Sequence, residues 1–306
     1  MPMAMPRMLR ACRLAIVVAW IASLAACAAP RPRDEGFALV GEAHLLLPGI
    51  VSSPYSEVRA AVSPDGHTLL WGSTNRPGGP GGWDIWMTRR EGGAWSAPAP
   101  VSFDSAANEF DPAFSADGRT VWFFSNRAGG FGGDDLYAVD FDPATGIFGT
   151  PRNPGAAINS AGDEWAPTPS PDGTSLLFAA NGRGGSGRHD LFTSAWRDGA
   201  WQPAQPLAGE VNGAGDDFDA AFLDGGNVLV FARSDDVDNA PIALWVAERE
   251  GDRYVRPRRL DARVNVDGGA ILGPSADPAH PRTLLFSGIR EGGLGRADIY
   301  AIDFTR

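Results

Sequence analysis

Four acidic side chains recur at nearly constant spacing: Glu57, Glu109, Glu164 and Asp217, separated by 52, 55 and 53 residues. Carboxylates gathered from successive repeats around one opening would concentrate negative potential there and draw in a cation or a basic peptide segment. Each could instead bond amides of its own loop. In a fifth unit the same count falls on Gly269, so the ring of acids is incomplete. Beside them Arg59, Asp111, Trp165 and Asp219 change from unit to unit, and variation on a repeated scaffold is where specificity can be written.

A second recurrent set brackets glycine-rich stretches. Arg76, Arg127, Arg183 and Arg290 precede them, and Asp84, Asp135, Asp190 and Asp298 follow. The ends of a hairpin lie close, which predicts an Arg–Asp pair bridging each link. The fourth unit keeps Arg233 but has Ala243 in place of the aspartate, leaving that arginine exposed or recruited elsewhere. Phosphate-binding glycine loops run from a strand into a helix. Here the stretch from Arg127 leads into Leu136-Tyr-Ala-Val139, which is strand-like, so it reads as a link between strands. Asp65, Asp117, Asp172 and Asp277 sit in turns, where an aspartate bonds backbone amides.

Other chemistry is thinly represented. Asp235 to Asn239 offers oxygen ligands for calcium but lacks the spacing of a helix-loop-helix site. His44, His67, His189 and His280 lack zinc-type spacing, and no G-x-S-x-G elbow occurs. The sequence thus calls for no cofactor, with calcium at residues 235–239 the one candidate.

The elements that must position these groups are short strands. Ser63-Pro-Asp-Gly66, Ser115-Ala-Asp-Gly118, Ser170-Pro-Asp-Gly173, Leu223-Asp-Gly-Gly226 and Ser275-Ala-Asp-Pro278 each precede an apolar run. Alternating segments at Asp84, Asp135, Asp190, Ala243 and Asp298 suit third strands, and segments opened by Trp95, Phe148, Trp201 and Tyr254 suit fourth ones. Four short strands per unit is the signature of a propeller blade. The fold class is therefore all-β, a single five-bladed propeller of four-stranded antiparallel blades over residues 37–306. Its repeats run at about 57–107, 108–162, 163–215, 216–267 and 268–306. The last lacks a fourth strand, and residues 37–48 supply one. Closure by this N-terminal segment removes the open edge of the array.

At the N-terminus Arg7, Arg10 and Arg13 precede an apolar run, Leu14 to Ala26, that is of signal-peptide length and short for a membrane span. It ends in Leu24-Ala-Ala-Cys27, a bacterial lipobox. This predicts a signal peptide at 1–26, lipidation of Cys27 and a tether over 27–36, with membrane contact through the lipid alone. Cys12 lies inside the leader, so the mature chain would have no disulfide. Ala28 after the cysteine favours the periplasmic face of the outer membrane. A formal charge of −11 speaks against nucleic acid, which needs clustered Lys and Arg.

The units resemble the WD-like β-propeller repeat of the TolB type, which reads E-x-x-P-x-x-S-P-D-G, an apolar run, S-N-R, glycines, then D-I-W or D-I-Y. Asn108 to Asp140 matches nearly throughout, Asp163 to Phe178 matches well, and the likeness covers about Glu57 to Phe304. The resemblance implies a monomeric, non-enzymatic scaffold of the envelope that takes a protein or peptide partner at its axial face, as a Tol-like system would require. Glu57, Glu109, Asp111, Glu164, Asp217, Asp219 and Arg233 are the candidate mouth. Five-bladed propellers also carry glycosidases, so a glycan-processing or glycan-binding role for Asp111, Glu164 and Asp217 stands as the alternative. A structural envelope protein without a discrete site is a third.

Overall fold

The Ser-x-Asp-Gly turns act as hairpin stops. Asp65 accepts from the His67 amide at 2.9 Å and the Ser63 hydroxyl at 2.5 Å, while Gly66 takes φ 70°, a left-handed value suited to glycine. Asp117 and Asp172 hold the amides of Arg119 and Thr174 in the same way, while Asp277 holds those of Ala279 and His280 without a bond to the serine before it. Each turn releases the chain into an apolar strand buried on both faces, such as Thr120–Ser125 or Val228–Ser234.

The computed structural model describes residues 36–306. The leader at 1–26, Cys27 and nearly all of the 27–36 tether lie outside the described residues.

Five separate antiparallel sheets follow in chain order. The innermost strands are Ser56–Val62, Glu109–Phe114, Glu164–Pro169, Asp216–Leu223 and Ile271–Ala276. Innermost strands of successive sheets pack against one another around a common axis. The chain is a five-bladed β-propeller. Blade 5 is completed by the N-terminal strand Ala38–Leu45, antiparallel to Asp298–Thr305, with Leu39 opposite Phe304 and Leu45 opposite Tyr300. Phe37 stacks on Phe304 at 5.1 Å, and both are buried. The clasp also reaches blade 4, where Arg263 donates to the Leu39 carbonyl at 2.6 Å.

The outermost strands depart from the expected continuous segments. In blade 1 the strand splits into Ala94–Trp95 and Ala99–Pro100, and in blade 3 into Ala200–Trp201 and Gln205–Pro206. Pro98 and Pro203 lie in the gaps, and proline brings no N–H to a ladder. Blade 4 keeps one strand, Arg253–Arg259, only by placing Arg256, the residue before Pro257, at φ 53°.

The innermost strands share the irregularity on which the site depends. Each carries a bulge two residues after the position that is acidic in blades 1 to 4: between Val58 and Ala60, Phe110 and Ala113, Trp165 and Thr168, Phe218 and Ala221, and Leu272 and Ser275. The bulged residues Arg59, Asp111, Ala166, Asp219 and Gly273 all lie at φ between 43° and 59°. For a non-glycine residue such a backbone costs about 1–3 kcal/mol and tends to mark functional positions. A bulge also re-aims side chains. Here it turns one residue per blade toward the axis.

Candidate functional site: an aromatic cup on the axis

The E-x-x-P stretch of the repeat assigns a separate task to each position. Its first residue goes into the scaffold. Glu57, Glu109, Glu164 and Asp217 are all fully buried. Glu109 accepts from the Ser105 amide at 3.0 Å and hydroxyl at 2.7 Å, from Ser125 at 3.1 Å and from Arg127 at 2.8 Å. Glu164 accepts from Ser160 and from Arg183 at 3.1 Å, and Asp217 from the Gly213 amide and from Arg233 at 2.6 Å. These acids therefore do not form an open negative mouth, because their oxygens are spent on their own loops and arginines. In blade 5 the matching position is Ile271, paired with Gly288, and not Gly269, because the turn around Asp277 is built differently.

The arginines likewise depart from the expected pairing. Arg127 lies over Phe123 and Tyr137 at 5.0 and 5.2 Å and binds Glu109 and the Phe103 carbonyl, so it ties a strand to the incoming interblade linker. Arg183 and Arg233 repeat this with Glu164 and Asp217, so Arg233 is an ordinary member of the set. Arg290 has only the Val264 carbonyl and the faces of Phe286 and Tyr300, since Ile271 offers no charge. Arg76 lies over Trp86 at 4.7 Å and donates to the Ile50 carbonyl, out of salt-bridge range of Glu57. Burial accordingly pushes the Glu57 carboxyl up to about 7, against the bonds from Ser53.

The aspartates after the links anchor the links themselves. Asp84 accepts from the Gly81 amide, Asp135 from Phe131 and Gly132, Asp190 from Gly187, and Asp298 from Leu294 and Gly295. This explains the glycines, because a Cβ on Gly130 would come within 1.8 Å of Asp135 Oδ2.

The second and third positions of the motif build the cup. Val58, Phe110, Trp165, Phe218 and Leu272 come one from each blade, and Trp83 and Phe124 widen the wall to enclose about 270 Å³. The rings form a continuous arc: Trp83 to Phe110 at 5.2 Å, Phe110 to Phe124 at 4.9 Å, Phe124 to Trp165 at 6.4 Å and Trp165 to Phe218 at 6.3 Å. Trp165 is fixed from outside, donating Nε1–H to Asp134 at 2.8 Å and stacking on His189 at 4.0 Å. His189 is held in turn by buried Asp216 at 2.8 Å.

The floor is ionisable. Asp111 and Asp219 come from bulges in blades 2 and 4 and both line the cup. Burial holds both carboxyls above the usual range, and their mutual repulsion raises Asp111 further against the pull of Arg59. Two carboxyls so coupled resist being ionised together. Asp219 also accepts from the Gly273 amide at 3.0 Å. Arg59 belongs to a second chamber of about 300 Å³ bordered by Pro64, Pro112, Phe114 and Pro171. Its Nη2 donates to Thr168 Oγ1 at 2.6 Å, while Nε and Nη1 are buried with no partner among the described residues. Asp134 at the rim is half-buried, and burial raises its carboxyl as well.

Asp111 and Asp219 were thus legible candidates, and Trp165 with Arg59 stood out as variable positions. The wall residues Phe110 and Phe218 each stand one residue before a variable position, a usable signal, whereas nothing in the repeat points to the rim residue Asp134. At residues 235–239 the guanidinium of Arg188 lies against Asp236 at 2.5 Å and Asp238 at 3.1 Å. Among the described residues no cluster of three or more His, Cys, Asp or Glu is arranged to hold a metal ion.

No family model matches the chain, and no curated protein matches it. Similar solved structures include TolB from Acinetobacter baumannii, at 13% identity and TM-score 0.49, covering 81% of this chain and 55% of that one. Putative TolB from Agrobacterium tumefaciens aligns at 16% identity and TM-score 0.49, covering 82% and 84%. The Bacteroides ovatus xyloglucan PUL GH43B protein aligns at 10% identity and TM-score 0.50, covering 85% and 54%. The chain spans about half the length of the first and the last of these. Likeness at such identities concerns the propeller fold alone.

Proposed function

We propose that the protein is a non-enzymatic binding propeller of the bacterial envelope whose axial cup receives a lysine or arginine side chain presented by a partner protein. The observation that carries this reading is the combination of a continuous aromatic wall with carboxyl groups at floor and rim. Aromatic faces attract cations, more strongly once water is excluded. A carboxyl whose ionisation is opposed by burial ionises more readily when a cation arrives. At about 270 Å³ the cup lies at the small end of ligand pockets and suits one long side chain rather than a chain of sugar units. The net charge of −11 would steer a basic partner toward it.

The anchoring half of the proposal rests on the sequence. Residues 1–26 serve as the signal, Cys27 as the lipidated residue and 27–36 as the tether, which leaves the propeller at the periplasmic face of the outer membrane. Exchange of Cys27→Ala should move the protein from the membrane to the soluble fraction, and unchanged fractionation would remove the anchor from the account.

Glycoside processing is less well supported. Its two carboxyls stand roughly 5–5.5 Å or 6.5–9.5 Å apart. Of the candidate acids Asp111, Glu164 and Asp217, the last two are committed to arginines and are not free to form such a pair.

The test is calorimetric titration with a short lysine-containing peptide and with the same peptide acetylated on lysine. Binding should be confined to the unacetylated form and should weaken in Phe110→Ala. Equal binding of both forms would refute a cation site.

A further inference from the structure

A second recess lies away from the axis, between blades 2 and 3, and encloses about 780 Å³, well within the range of ligand pockets. Three tryptophans meet there. Trp201 packs edge-on against Trp122 at 5.5 Å and against Trp196 at 5.0 Å. Two of the three break the repeat. Trp122 stands where the other blades place Leu70, Leu177, Val230 and Leu285. Trp196 pairs across the strands with Trp201, whereas blades 1 and 4 pair Arg90 with Trp95 and Arg249 with Tyr254. A propeller blade needs no aromatic side chain at that position, yet Trp196 remains 46% exposed, a large apolar surface left to water.

The polar groups around the recess are equally specific. Arg152 is exposed and bound to Asp140 at 2.7 Å on the surface. Asp117 and Asp172 contribute carboxylates whose bonds within their turns go to Oδ1, so each keeps a second oxygen for an outside donor. Flat indole faces beside planar hydrogen-bonding groups match a pyranose, which has an apolar C–H face and a belt of hydroxyls. The two rim carboxylates work against an anionic ligand.

We propose that this recess binds a neutral oligosaccharide, with Trp196 as the stacking platform and Arg152, Asp117 and Asp172 taking the hydroxyls. The site is separate from the axial cup, and its occupancy does not depend on the function proposed for that cup.

The experiment is titration of the folded protein with three neutral probes, chitohexaose, cellohexaose and maltohexaose, read by calorimetry and tryptophan fluorescence. At least one should bind one-to-one and quench the emission. Because Trp196 is exposed, Trp196→Ala should fold normally and weaken binding roughly tenfold. Arg152→Ala should weaken it as well, while Asp134→Asn at the cup should not. Failure of all three probes to bind, or binding that Trp196→Ala leaves intact, would overturn the proposal. A dimer in sedimentation that disappears in Trp196→Ala, without any glycan response, would overturn it too and make the recess a self-association surface.

Discussion

Trp165 donates its indole N–H to Asp134 across 2.8 Å, which links a wall residue of blade 3 to the loop entering the third strand of blade 2. The bond fixes a ring that lines the same cavity as Asp111 and Asp219. Replacing Asp134 with alanine should release Trp165 and remove the rim charge together. Affinity for a lysine peptide should fall roughly tenfold, since a hydrogen bond to a charged group contributes about 1.5–3 kcal/mol. The melting temperature should move little, and calorimetry beside a melting curve checks both.

Asp104 occupies the place that Asn159, Asn212 and Asn265 hold in the next three linkers. Each asparagine bonds both backbone groups of the facing strand residue: Leu136, Leu191 and Leu244. Among the described residues Asp104 accepts only from the Ile85 amide and leaves Oδ2 buried without a partner, and burial pushes its carboxyl up to about 8. Restoring the repeat with Asp104→Asn should stabilise the protein by about 1–2 kcal/mol, most visibly above pH 8 in chemical denaturation.

The pH dependence of stability follows from the same buried acids. Between its ordinary value of 4.5 and about 7, Glu57 is protonated in the folded protein and ionised in the unfolded chain. The folded state holds more protons there, so stability declines as pH rises through that window, and Asp104 extends the decline to about 8. On the acid side Asp117 and Asp172 are held below 3.8 by the hydroxyls of Ser115 and Ser170, a contribution lost as pH falls. Melting temperature should therefore peak at about pH 4–5. Glu57→Gln should match the wild type there and exceed it at pH 8, and equal values at both would contradict the assignment.

Ring closure can be weakened at a single residue. Phe37 is 2% exposed and stacks on Phe304, and truncation of a buried phenylalanine costs about 3–5 kcal/mol. Phe37→Ala should lower the unfolding free energy by that amount in chemical denaturation, whereas Val40→Ala on the same strand, 45% exposed, should change it little.

The fold was legible because the turn tetrapeptides and apolar runs repeat in register, and the missing fourth strand could be matched to residues 37–48. The site was legible only in part. Repetition marked Glu109 and Glu164 as candidates for an open mouth but could not say that arginines cover them, since that depends on how Arg127 and Arg183 lie over the strand aromatics. The bulge was the hidden step. Nothing in the local pattern announces that Arg59, Asp111 and Asp219 adopt a left-handed backbone, and that turn alone decides which side chains reach the axis.

The central claim is that the cup of Trp83 and Trp165 takes a cationic side chain. The most direct measurement is the indole N–H spectrum of nitrogen-15-labelled protein during titration with the lysine peptide. The signals of Trp83 and Trp165 should move in proportion to occupancy while those of Trp196 and Trp201 stay in place. Saturable binding that leaves the Trp83 and Trp165 signals unmoved would contradict the account.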